Sequence, residues 1–505
     1  MFRNFNLKQK AFLLYANFSR RIKYPEKYKT LSFFCDYAHI QDSQLNNKAL
    51  AIKNKVISHI CTPDSWFFPK NCACLIIRGQ KDVDLAIKKG AAIIIADKEY
   101  DYPCIISDNP TYIYAKFCHY FRNLQQKVSV TAVTGSIGKT TTKNIIGTIY
   151  SSQWNTYYTS VNENTKTTIG FAIQHIPPCA EKMVQEVHEG NPGETQHLSE
   201  MLNPRIVVLT TIDKSHLARF ENEDNIVEEV CSITKNMKEN GKVIVNIDEF
   251  NRFDLLNGKT VVSISTKSNN ADIYAENIKA NEKGLSFNIV IRKIGQRYPV
   301  AMKNIYAPHN AICATLAFAA AYYEGMAPKK IIQAISTFKP QEARQNIIRT
   351  SDDIVIYADC YNATARSMKS AIDATKNIPT RGKKVAVLGD IEEAGYISTT
   401  IHQEVINHVN KSDFNVLLTI GEKMKKALSE VTSRNSLQVY SLDTIDQLNS
   451  KIKVLVNPGD LVLFKASHAS NLTKCIKALW PQAYQQMFNL SNKQYEHYKK
   501  NCLLY

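Results

Sequence analysis

Apolar residues in this chain gather in short runs separated by polar segments of helical period. CLIIRG (74–79) and AAIIIAD (91–97) are early examples, with a helical pattern, VDLAIKKG, between them. Further runs follow at RIVVLTTID (205–213) and KVIVNID (242–248), then in DIVIYAD, KKVAVLGD, FNVLLTIG and DLVLFKAS. This alternation predicts mostly parallel sheets covered by helices. Residues 259–300 break the rhythm: TVVSIST, ADIYAENIKA and LSFNIVIRK, separated by KSNN and NEKG, predict a small antiparallel sheet appended to the central unit. Residues 309–325 then predict an apolar helix ended by Gly325.

At 505 residues the chain is too long for one ordinary core, and its 44% apolar and 22% charged residues are those of a globular protein. A formal charge of +17 favours anionic partners without separating a nucleotide or acidic metabolite from nucleic acid or a membrane surface. The locally basic first thirty residues lack the glycine-aromatic signature of an RNA-binding module and read as a solvated face. The twelve cysteines are scattered, several within apolar runs, and no secretory signal is evident, so a reduced, cytoplasmic protein is expected. Cys72 and Cys74 have no companion pair at zinc spacing, which argues against a structural metal. The run at 11–18 is too short to span a bilayer.

The most specific local signal is KVSVTAVTGSIGKTTTKNIIGTIY (127–150), a strand, a glycine turn and a helix in succession. Gly135 and Gly138 let the backbone turn and bring N–H groups toward phosphate oxygens. Ser136 lies between them, Lys139 adds a cation, and Thr140 and Thr141 open a helix whose N-terminus favours anions. Only two residues separate the glycines, unlike the standard Walker A spacing. The expected architecture is α/β in three domains: residues 1–125 with a basic extension, a central P-loop parallel-sheet ATPase domain at 126–342, a Rossmann-like domain at 343–480, and a tail at 481–505.

Further motifs follow the loop in order: VNENTKTTIG (161–170), EVHEGNPGE (186–194), TTIDKSHLARF (210–220), APHNAICATLAFAAA (307–321), ADCYNATARSM (358–368) and VLGDIEEAG (387–395). Together they resemble the Mur ligase family, from near residue 60 to near residue 475. The resemblance is strongest to members that add D-alanyl-D-alanine to a muramoyl tripeptide. It implies an amide-bond ligase that uses ATP and Mg2+ to activate a carboxylate as an acyl phosphate, which an amine then attacks. By similarity Lys139 contacts phosphates, Thr140 and Glu186 hold magnesium, and His216 serves a second metal ion. Asn310 matches a base-reading asparagine, Arg344 an arginine reaching the γ-phosphate, and Asp359 a ribose-binding acid. Asn162 with Thr167 or Thr168 matches a loop facing the acceptor. Tyr361 and Asn362 complete the Asp359 motif, while Lys465 and Ser467 match a strand end that meets the amine. A monomer acting on a small-molecule acid and an amine or peptide is expected, with no nucleic-acid partner and no membrane span.

The chain departs from the family pattern at several positions. Val230 stands where the family carries a lysine, carbamylated in many members, so a second metal would need another ligand, with Lys235 or Glu229 adapting. Trp66 replaces an arginine, and the loop after Gly79 is shortened to QKDVD, both at the sugar-nucleotide site. Ala358 replaces the first of two paired aspartates, and Ala466 replaces a glycine. These changes leave open a paralogue joining another acid and amine, and a catalytically silent nucleotide-binding protein. If Lys139 stands on an exposed loop, Lys139→Ala should abolish turnover and leave the fold intact.

Overall fold

The computed structural model describes residues 29–487 apart from 66, 67, 69, 160–163, 213–219, 221, 393 and 394. Asn162, His216 and Trp66 therefore lie outside the described residues, as do most of the basic N-terminal segment and the end of the tail.

In the first unit the apolar runs form a four-stranded parallel sheet, Ile60–Cys61, Ala73–Leu75, Ile93–Ala96 and Cys104–Ile106, in chain order. Helix Gln80–Lys89 starts immediately after Gly79 and ends at left-handed Gly90, which offers no Cβ to clash there. Helix Pro110–Asn123 carries the chain toward the central unit; Asn109 caps it and Pro110 occupies its first turn. The side-chain amide of Gln174 locks the two units together by accepting from Ile60 N and donating to Ile60 O, as an adjacent strand would.

The central unit holds a nine-stranded sheet. Ser129–Thr134 lies between Ile206–Leu209 and Lys182–Glu186, with all three parallel. Successive side chains go to opposite faces: Val207 and Leu209 enter one apolar cluster, Ile206 and Val208 the other. Both faces are thus buried, which explains why these strands read as continuous apolar runs. Helices Lys139–Ser151 and Asn310–Tyr323 cover the second face, Pro110–Asn123 and Glu194–Leu202 the first.

The strand-rich segment differs from its expectation. Thr260–Ser265 pairs parallel with Lys242–Asn246, and Ile273–Asn281 pairs parallel with it in turn. Antiparallel pairing begins only at Gly284–Ile291 and Gln296–Met302, so these strands extend the central sheet instead of forming a separate one. The cause is edge geometry: the open side of Lys242–Asn246 accepts the next apolar strand, and the hairpin then adds to that edge.

The C-terminal unit is a six-stranded sheet, with Asn346–Arg349 antiparallel at one edge and five parallel strands beside it. Val355 and Tyr357 face one core while Ile356 and Ala358 face the other. Among the described residues, no helix is long and apolar enough to cross a membrane.

Candidate functional site

The carboxyl ends of strands Ser129–Thr134, Val355–Asp359 and Leu461–Lys465 face one cleft of about 1430 Å³ between the central and C-terminal units. Ligands in open α/β folds bind outside such strand ends.

Two glycines shape the phosphate loop. Gly135 has φ 122°, and a Cβ there would stand 2.4 Å from Thr210 Oγ1; Gly138 has φ 86° and precedes helix Lys139–Ser151. Ser136 N and Ile137 N both donate to Thr211 O, at 2.8 and 3.0 Å. Those two N–H groups anchor the loop to the neighbouring strand, leaving the first turn of the helix to offer N–H donors to an anion.

Lys139 Nζ donates to Gly135 O, and lies 3.4 Å from Ser136 O and 3.2 and 3.1 Å from the two oxygens of Glu189. Thr140 Oγ1 donates to Glu186 Oε2 at 2.8 Å, and Asn164 Nδ2 donates to Glu186 Oε1 at 3.0 Å. Burial would raise the Glu186 carboxyl, but the charges of Lys143, Arg344 and Lys139 and the Thr140 hydroxyl outweigh it and hold it below the usual carboxylate range. Lys143, itself buried, donates to Thr159 O at 2.5 Å.

Across the cleft, Asp359 and Lys465 are direct partners on adjacent parallel strands, with Asp359 Oδ2 2.9 Å from Lys465 Nζ. Lys465 also donates to Asn362 O at 2.7 Å, and Ser467 Oγ accepts from Glu392 N at 3.0 Å. Arg344 lies on the connection between the units, its guanidinium 4.4 Å from the Tyr361 ring centroid. Its neighbours Ala343 and Gln345 both have φ 53°, a left-handed conformation that costs a non-glycine residue energy and marks a tightly constrained turn.

Of the residues singled out in the sequence, Ser136, Gly138, Lys139, Thr140, Thr141, Glu186, Arg344, Asp359, Tyr361, Asn362, Lys465 and Ser467 line this cleft. Gly135 and Asn310 sit behind the lining. Asn310 is buried, donating to Ala307 O at 3.0 Å and to Gln345 Oε1 at 2.8 Å. Thr168 bonds back to Thr165 N and Thr167 to the Thr165 hydroxyl, at the start of helix Lys166–Gln174. These threonines serve a helix end, and Asn164 and Thr165 line the cleft in their place.

Sequence reasoning missed Glu189, Asn164 and Gln345. Glu189 lies within EVHEGNPGE, but nothing local distinguishes it from a surface acid. The proposed substitutes for the missing lysine do not reach the cleft. Glu229 accepts from Gly193 N and Thr195 N at 2.7 and 2.6 Å, capping helix Glu194–Leu202, and Lys235 donates to Gln196. Val230 is fully buried in the apolar cluster beneath them.

A hydroxyl and an ionised carboxylate side by side at a phosphate loop are the hard oxygen donors that Mg2+ takes beside phosphates, so Thr140 and Glu186 fit one such ion. Among the described residues, no group of three or more His, Cys, Asp or Glu side chains could hold a metal alone.

Two family models match: the Mur ligase middle domain over residues 133–321 and the Mur ligase, glutamate ligase domain over residues 343–468. The chain is 28% identical over 417 residues to the UDP-N-acetylmuramoyl-tripeptide--D-alanyl-D-alanine ligase of Bacillus subtilis, covering 79% of this chain and 87% of that one. The Escherichia coli enzyme of the same name is 23% identical over 434 residues, covering 83% and 93%. Among solved structures, MurF from Acinetobacter baumannii superposes with a TM-score of 0.75 at 21% identity, covering 90% of this chain and 99% of that one. MurF from Thermotoga maritima in complex with ADP gives 0.71 at 20% identity, covering 85% and 98%. With both models matched in order across the central and C-terminal units, the chain belongs to the Mur ligase family.

Proposed function

We propose that this protein is a cytoplasmic, monomeric, ATP-dependent ligase that joins D-alanyl-D-alanine to a UDP-N-acetylmuramoyl tripeptide in peptidoglycan synthesis. The observation that carries this reading is the cleft itself. A phosphate loop with Lys139, Thr140 and Glu186 faces a wall bearing Arg344, Asp359 and Lys465.

In the first reaction, a substrate carboxylate oxygen bonds to the γ-phosphorus as the bond to the β,γ-bridging oxygen breaks, and ADP leaves. Several anions must meet, so cations have to neutralise them while the loop holds the phosphates in line. Lys139 and Arg344 supply that charge from opposite sides. Thr140 and Glu186 would hold magnesium, which supplies further neutralisation when bound. In the second reaction, the amine attacks the acyl carbon, the C–O bond to phosphate breaks, and the nitrogen gives up a proton. The Asp359–Lys465 pair is held rigidly by backbone and strand register, so it can orient a nucleotide or amine without rearranging.

The purified protein given ATP, magnesium, UDP-muramoyl tripeptide and D-alanyl-D-alanine should release phosphate and yield the corresponding amide by mass. Phosphate release without that product would refute the substrate assignment. A paralogue acting on another acid is favoured by one observation. The QKDVD segment expected as a loop is instead the first turn of helix Gln80–Lys89, and its Asp82 accepts from Ile77 N and Arg78 N and pairs with the Arg78 side chain, so no loop stands after Gly79. Failure of UDP-muramoyl peptides to bind at millimolar concentration would select that reading.

A further inference from the structure

The Lys139 ammonium is already fully engaged. An ammonium has three N–H donors, and four oxygens surround this one: Gly135 O, Ser136 O and both carboxylate oxygens of Glu189. Glu189 has no exposed surface, and Lys139 is 8% exposed. Lys139 lines the cleft, whereas Glu189 sits behind it, on the loop that follows strand Lys182–Glu186. Glu189 thus occupies the ammonium from the protein side with two oxygens of the same charge type that a phosphate would present from the cleft side.

A phosphate oxygen can bond to Lys139 only if one of these contacts is given up. The two backbone carbonyls belong to the loop whose shape Gly135 and Gly138 fix, and Ser136 and Ile137 are pinned to Thr211 O. The Glu189 carboxylate is the one of these partners carried on a side chain with rotatable bonds, with His188 Nδ1 3.9 Å from its Oε2, so it is the contact that can be exchanged.

We propose that Glu189 is a displaceable counter-ion for Lys139, a positioning residue that competes with nucleotide phosphate for the ammonium and so holds down the affinity of the site for nucleoside di- and triphosphates. The inference rests on the reading of residues 135–141 as the phosphate site. In a ligase it has a direct consequence: the carboxylate that is displaced when ATP binds returns to Lys139 as ADP departs, which favours product release.

The test is ADP binding, followed by calorimetry or by a fluorescent ADP analogue, on the full chain in low salt without magnesium, so that no turnover or metal contributes. Glu189→Gln keeps the shape and one acceptor while removing the charge. It should bind ADP at least tenfold more tightly than the wild type. Glu189→Asp, which draws the carboxylate back by one methylene, should fall between the two and serves if the glutamine variant does not fold. In a Lys139→Ala background titrated to millimolar ADP, adding Glu189→Gln should change affinity less than twofold, because the competed group is gone. Unchanged or weaker ADP binding by Glu189→Gln, or an equal gain with and without Lys139, would overturn the proposal. Equal ADP binding by the wild type and Lys139→Ala would instead overturn the phosphate-site reading, so the two failures are distinguishable.

Discussion

Replacing Lys139 by alanine removes a cation from a position that reads in the sequence as an exposed loop but that the structure buries to 8% exposure. Its partner Glu189 has no exposed surface, and the variant would leave that carboxylate without the ammonium now 3.1 and 3.2 Å away. Breaking a buried ion pair by deleting one partner costs about 3–5 kcal/mol, mostly from the stranded charge. Lys139 stands at the lip of the cleft, and its removal lets water approach Glu189, so ~2–3 kcal/mol is the appropriate figure here. For a domain of the central unit's size, each kcal/mol moves the melting temperature by roughly 2–4 °C, giving a fall of roughly 4–12 °C. Scanning calorimetry of the nucleotide-free protein measures this directly. Lys139→Ala should melt well below the wild type, and Lys139→Ala with Glu189→Gln should recover most of the loss, since the buried group that lost its ammonium is then neutral. A single variant that melts within a degree of the wild type, or a double variant no better than the single, would refute the reasoning. Turnover is expected to vanish in both, so stability and not activity is the discriminating measurement.

Glu186→Gln removes the charge that Lys143, Arg344 and Lys139 stabilise but keeps the shape, its amide oxygen accepting from Asn164 Nδ2 and its NH2 turned to the Thr140 hydroxyl oxygen; turnover should fall on the order of 100-fold or more, and raising magnesium should restore part of it in steady-state assays. Gly135→Ala places a Cβ 2.4 Å from Thr210 Oγ1 at φ 122°, so the loop must move at a cost of about 1–3 kcal/mol, and ADP affinity measured by calorimetry should drop with it. His309 tests pH dependence. Burial and the charges of Lys465 and Arg366 outweigh Asp359 and push its imidazole down to about 4. Gln345 donates to Nε2, its amide oriented by Asn310, and Nδ1 meets Ser370 Oγ at 2.7 Å, so the neutral ring bridges the two units. The folded pKa lies below the unfolded value, so only the unfolded chain takes up the proton between about pH 6.5 and 4. Stability should therefore fall as pH drops through that window and level off below it. The full difference in pKa is worth up to ~3 kcal/mol, reduced to ~2 by the partial exposure of the ring. Urea midpoints across that range should slope less in His309→Gln.

What could be read from the sequence is what local chemistry dictates. The strands at 129–134, 206–209 and 242–246 are buried on both faces and announce themselves as apolar runs, and the glycine turn is legible because its backbone demands glycine at 135. Thr156–Tyr158 escapes notice because it is only three residues long and opens on a threonine, and Gln438–Leu442 because it is an edge strand with Gln438 and Ser441 exposed. Thr260–Ser265 was legible as a strand but not in direction, since pairing sense depends on which edge is open and not on the residues themselves. The same limit applies in the cleft. Thr140 and Glu186 are 46 residues apart and meet only because strands 129–134 and 182–186 are adjacent and parallel. Glu189 sits inside EVHEGNPGE and Gln345 on the linker with no local sign that sets either apart; their roles exist only once Lys139 and Asn310 have been brought to them.

The replacement of a lysine by Val230 takes on a different meaning in this setting. Val230 packs in the apolar cluster away from the cleft, while the cations at the phosphate loop are Lys139 and Lys143 and its carboxylates Glu186 and Glu189, with Arg344 facing them. Lys139 and Lys143 on one side and Arg344 on the other bring cations to the phosphate position, and Glu189 is committed to one that phosphate must claim. The opposite wall carries Asp359 against Lys465, a pair that cancels. Cations on both sides of the loop suit a polyanion bound end-on there, with the amine nitrogen arriving beside the paired Asp359 and Lys465. The apolar packing at Val230 then bears on how many metal ions the site takes, while the choice of a polyphosphate as ligand rests on Lys139, Lys143 and Arg344.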